Sequence, residues 1–160
     1  MADTLPHIIA GIDSQNQIRI EVEIQGLYKK IPYGAILDTG FSGGLLLPLI
    51  TAVDLGLEKV GGGNVVLADG TIKTLPIFLC KVKLGDKVND VSTIVMGNDV
   101  LIGMELIGGY QVCVTSGKGQ VTVEEEAAPL PKAAYVQYDR LSSILRTLTN
   151  TNSRKEMAGW

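Results

Sequence analysis

Histidine is almost missing from this chain: His7 is the only one in 160 residues. Ser-His-Asp and Cys-His catalysis, and most zinc chemistry, need a well-placed imidazole, and a solitary one beside Pro6 reads as a surface or strand residue. No metal site and no cofactor is expected. Cysteine is scarce as well. Cys80 and Cys113 sit in apolar, strand-like stretches and read as small, buried, reduced hydrophobes, not as a disulfide or a metal pair. Neither sign of charge accumulates: 14 basic residues face 17 acidic ones, with no basic stripe to track a phosphate backbone, which argues against nucleic acid as a partner. No apolar run approaches the ~20 residues of a spanning helix, and the N-terminus lacks the charged start and apolar stretch of a signal peptide. The expectation is a cytoplasmic protein with no membrane partner.

What is present points to strands. Nineteen glycines, 5% aromatics and many β-branched residues suggest short strands joined by tight turns, and a 46% hydrophobic content is enough for one real core. Ile18, Ile20, Val22 and Ile24 alternate with Arg19, Glu21 and Glu23, the period of a strand with one buried face. Further strands are expected over 31–37, 45–48, 75–84, 91–96, 100–103, 110–115 and 120–123. Short helices are expected between Leu49 and Leu57 and over 104–107. The glycine run 61–63 opens a segment leading to Asp69-Gly70, a dipeptide that suits a type I′ hairpin turn. After three successive glutamates at 124–126 the texture changes. Residues 1–126 therefore read as one all-β domain. Residues 127–160 read as a Pro-containing linker, a short amphipathic helix with Leu141, Ile144, Leu145 and Leu148 on one face, and a disordered end.

The chemistry centres on Asp38-Thr39-Gly40. Nine Asp, eleven Thr and nineteen Gly make this tripeptide rare by chance, with about 0.07 occurrences expected, yet an Asp before Thr-Gly is most often a turn former that caps backbone amides. Its surroundings sharpen the reading. The apolar stretch Tyr33-Gly34-Ala35-Ile36-Leu37 runs into the Asp, and Phe41-Ser42-Gly43 follows. Ala68-Asp69-Gly70 comes next as a hairpin, and about sixty residues after the Asp stand Leu101-Ile102-Gly103 and a short apolar turn.

This ordered trio resembles the retropepsin-like aspartic proteases, in particular bacterial and archaeal single-domain members with D-T-G-F-x-G, an apolar run ending in Leu-Pro, A-D-G and a late L-x-G-M-x-L-x-x-G-Y. The resemblance spans roughly residues 18–123. It implies a small closed β-barrel with one or two short helices, here followed by the helical tail. It also implies an endopeptidase that activates water between two facing carboxyls. Two such groups about 3 Å apart cannot both ionise readily, so one accepts a proton while the other donates. With one D-T-G per chain and no internal repeat, the second Asp38 must come from another copy, so a homodimer acting on peptide or unfolded protein is expected.

By the same resemblance Thr39 locks the two loops together through the partner's backbone, Gly40 permits close approach around the water, and Ser42 supports the carboxylate. Ala68, Asp69 and Gly70 form the flap that closes over substrate. Leu101, Ile102 and Gly103 pack behind the catalytic loop, with Glu105 structural or dimer-facing. Phe41 is unusual among better-known members and would either line a specificity pocket or narrow the cleft. The second possibility leaves a different function open: a non-catalytic module on the same fold that grips an extended segment by strand addition.

Overall fold

The computed structural model describes residues 7–126; the linker and helix expected over 127–160 lie outside the described residues. Ten strands and two short helices follow in order: β1 Ala10–Ile12, β2 Ile18–Gln25, β3 Lys30–Leu37, β4 Leu45–Leu47, α1 Leu49–Leu55, β5 Glu58–Val66, β6 Ile72–Leu84, β7 Lys87–Val95, β8 Leu101–Ile102, α2 Met104–Ile107, β9 Tyr110–Thr115 and β10 Gln120–Glu125. The fold is all-β, as the alternation and glycine content predict.

Eight strands form one sheet in the order β1-β2-β3-β8-β4-β7-β6-β5, and a further pairing of β2 with β6 joins the sheet into a ring. Most neighbours are antiparallel. Two short parallel ladders, Ile36 with Leu101 and Leu45 with Thr93 at their starts, slot β8 and β4 into the middle of the ring. Strands β9 and β10 make a separate hairpin.

Period-two burial explains the interior. Ile20, Val22 and Ile24 of β2 point inward, as do Cys80, Val82 and Leu84 of β6, while Lys81 and Lys83 stay exposed. Leu45, Leu47, Leu55, Val100, Ile102 and Leu106 join the same core, as do Val121 and Val123 of β10. Each such aliphatic side chain contributes roughly 1.5–3 kcal/mol by leaving water. α1 is stopped by Gly56, whose left-handed backbone (φ 69°) lets its amide cap the carbonyls of Ala52 and Val53.

Strand β6 changes character along its length. From Ile77 onward it belongs to the ring, pairing with β7 and, over Lys81–Lys83, with β2. On its other edge Ile72–Leu79 pair with β5, and before Ile77 the two strands run on alone as a hairpin arm whose residues are mostly exposed. The glycine run 61–63 lies inside β5, next to an irregularity at Val60, and does not open a new segment. β7 likewise begins four residues before the expected 91, because Lys87–Asp90 is a polar, mostly exposed stretch that carries no burial pattern to read.

Candidate active site

Strand β3 delivers Asp38. Its last residue, Leu37, pairs with Ile102, and the chain leaves the ladder one step later while the Asp38 amide still donates to the Ile102 carbonyl at 3.0 Å. The next three residues make a tight turn. Gly40 N–H donates to Asp38 Oδ1 at 2.9 Å, and Phe41 N–H donates to the Asp38 carbonyl at 3.2 Å. The turn-former role expected of an isolated Asp is thus fulfilled by one carboxylate oxygen. Asp38 is half-buried, whereas Thr39, Gly40 and Ser42 are exposed, so the loop turns its polar groups outward.

Behind the loop, β8 and α2 form a backing. Gly103 N–H donates to the Gly44 carbonyl (3.1 Å), Met104 N–H to the Phe41 carbonyl (2.8 Å) and Glu105 N–H to the Gly43 carbonyl (3.3 Å). Leu101 and Ile102 pair with β3 on one side and β4 on the other, and Ile102 is fully buried. Gly103 is needed for contact: a Cβ there would overlap the carbonyl oxygens of Gly43 and Phe41. The Phe41 ring is folded back toward the body of its own loop, close enough that a Cβ at Gly43 or at Gly103 would meet it at 2.6 Å.

The hairpin between β5 and β6 carries Ala68, Asp69 and Gly70 at its tip, all exposed. Its turn is not type I′. Gly70 has positive φ (84°) but Asp69 does not, so the loop is a three-residue turn with glycine at the left-handed position. Gly70 N–H donates to the Leu67 carbonyl and Leu67 N–H to the Thr71 carbonyl, at 2.9 and 2.8 Å. Asp69 Oδ1 accepts from Thr71 N–H at 2.9 Å, and that amide, with the Thr71 hydroxyl second, holds the exposed Asp69 carboxyl below the usual carboxylate value.

A family model described as aspartyl protease matches residues 20–106, which include the Asp38 loop, the 67–71 turn and the 101–105 backing. The chain belongs to the aspartyl protease family. Among solved structures, a retropepsin-like aspartic protease from Rickettsia conorii is similar at 19% identity and a TM-score of 0.49, over 76% of this chain and 90% of that one. No curated protein matches the chain.

In this aspartyl protease Glu105, which the sequence makes structural or dimer-facing, has a definite set of partners. Its carboxylate accepts from the Ser92 amide on β7 (3.1 Å) and from the Ser92 hydroxyl, tying α2 to the sheet. Ser92 itself was not singled out, since nothing in a sequence shows that β7 passes beside α2. Burial pushes the Cys80 thiol up to about 11, as expected of a small core residue, whereas Cys113 is exposed on β9 and departs from that reading because its hairpin has an open outer face. Among the described residues no group of three His, Cys, Asp or Glu side chains is set to hold a metal ion, and no helix is long and apolar enough to cross a membrane.

Proposed function

We propose that the chain is a homodimeric aspartic endopeptidase in which water is activated between two Asp38 carboxyls, one from each subunit. One observation carries the reading: a single Asp-Thr-Gly loop per chain holds a carboxylate at the end of strand β3, just after the buried Ala35 and Ile36, in a turn whose polar residues face outward. One such carboxyl cannot both take a proton from water and give one to the scissile group. Two sharing a proton can. Thr39, exposed beside Asp38, is then the group that reaches the partner's loop backbone, and Gly40 leaves room over the carboxylates. The hairpin with Ala68, Asp69 and Gly70 at its tip serves as the cover, adding backbone hydrogen bonds to an extended peptide or unfolded segment.

Phe41 bears on the alternative of a non-catalytic peptide-binding module. That alternative gave Phe41 the task of filling the cleft, and a ring folded onto Gly43 and Gly103 is badly placed for it. Protease action is tested with purified protein and a peptide library in acid. Cleavage should be blocked by a statine-type inhibitor and vanish in Asp38→Asn; cleavage persisting in that variant would falsify the assignment.

A further inference from the structure

The Asp38 loop hangs on α2, and α2 is a single turn of helix with little of its own to hold it. On its inner side Leu106 and Ile107 are buried in the core. On its outer side the tie is Glu105. Strand β7 pairs with β4 only from Thr93 onward, because at the preceding position the chain of β4 has become the loop at Gly44, packed directly on Val91 and the Ser92 carbonyl. Ser92 N–H therefore stands one step beyond that ladder, and the Glu105 carboxylate takes it together with the Ser92 hydroxyl. The same residue's backbone amide donates to the Gly43 carbonyl, and its neighbours Gly103 and Met104 hold the carbonyls of Gly44 and Phe41. One exposed side chain thus links β7 to the backing of the Asp38 loop, on the side of α2 opposite the buried Leu106 and Ile107.

We infer that Glu105 is a positioning residue for Asp38: by clamping Ser92 it sets the height of α2, and through it the setting of residues 41–44 and the direction of the carboxylate. This rests on the proposed role of Asp38. The bonds to Ser92 are charge-assisted and two in number, so they define a direction as well as a distance. A displacement of a catalytic group by about 1 Å can cost on the order of a hundredfold in rate.

The test uses the full chain and compares wild type with Glu105→Ala, Glu105→Gln and Ser92→Ala. Glu105→Ala should lower kcat roughly tenfold to a hundredfold with KM nearly unchanged. Glu105→Gln should restore most of it, since the amide still accepts from Ser92 N–H and the Ser92 hydroxyl can turn to accept from the Gln NH2. Hydrogen exchange at Gly103 and Met104 N–H should quicken in Glu105→Ala and in Ser92→Ala, and this readout is independent of turnover. Unchanged exchange at those amides, or an Ala variant with wild-type kcat, overturns the inference. So does a loss of kcat that Gln fails to rescue while folding and dimer content match wild type. Wild-type protein with no Asp38-dependent cleavage but quickened exchange in the variants instead defeats the protease reading and leaves the clamp standing.

Discussion

Two aspartates in this molecule make the same local hydrogen bond and meet different fates. Asp38 accepts the amide of Gly40 and Asp69 the amide of Thr71, each two residues on and each at 2.9 Å. Beyond that bond the surroundings diverge. The Asp38 turn is backed by four main-chain hydrogen bonds linking β8 and α2 to residues 38–44, over a fully buried Ile102. The Asp69 turn stands at the end of a mostly exposed arm, held by its own hairpin bonds. Local sequence makes a carboxylate turn in both places; tertiary support makes one of them a fixed platform and leaves the other at the tip of an exposed arm, the place of the proposed cover. The proposed mechanism needs the first to hold position and the second to yield for substrate entry.

The contrast fails outright if removing the platform carboxyl is harmless. Asp38→Asn is expected to reduce peptide cleavage by about a thousandfold or more, with a thermal unfolding midpoint close to wild type, read by a fluorogenic peptide assay and calorimetry on one preparation. Asp69→Asn should retain most of the activity. Next in size is Gly103→Ala. A methyl group driven into the Gly43 and Phe41 carbonyls should destabilise the protein by about 1–3 kcal/mol in urea unfolding and disable cleavage by displacing the loop.

The cover should respond more mildly. At Gly70 a Cβ meets nothing within 4 Å, so Gly70→Ala carries only the strain of a positive φ, about 1–2 kcal/mol confined to the hairpin tip. Its expected signature is a raised KM with little change in global unfolding, the reverse of the Glu105→Ala pattern. The smallest effect is the pH response of the tip. The folded Asp69 carboxyl lies below its usual 3.8, so its contribution is present above that value and is lost as pH falls through the folded pKa. Amide exchange at Thr71, corrected for intrinsic rates, should therefore quicken as the solution is acidified below about pH 4, and Asp69→Asn should flatten that response.

Much of the platform was legible in the sequence because burial leaves a pattern. Ile31 to Leu37 announces a strand running inward, Leu101 and Ile102 announce a second, and a glycine at 103 between apolar residues announces close packing. The helix over 104–107 follows from the same short apolar turn. The arm of the hairpin was harder. Gly61, Gly62 and Gly63 have no side chains to alternate, so in the sequence they mark the opening of a segment and not the middle of a nine-residue strand. Asp69-Gly70 reads as a type I′ turn, and the backbone at Asp69, which is not left-handed, is what rules that geometry out. Strand β1 is too short to show a period, and the Glu105 clamp on Ser92 joins residues thirteen apart on elements whose adjacency no local pattern encodes.

The claim that two copies complete one site is tested most directly by mixing subunits. Wild type and Asp38→Asn carrying different tags are equilibrated at constant total protein until tandem capture shows that subunits have exchanged, and peptide cleavage is then measured across the series. If each site needs an Asp38 from both chains, activity follows the square of the wild-type fraction, about a quarter of the starting value at equal amounts. A straight line, with about half the activity left at equal amounts, would mean that each chain works alone and would contradict the account.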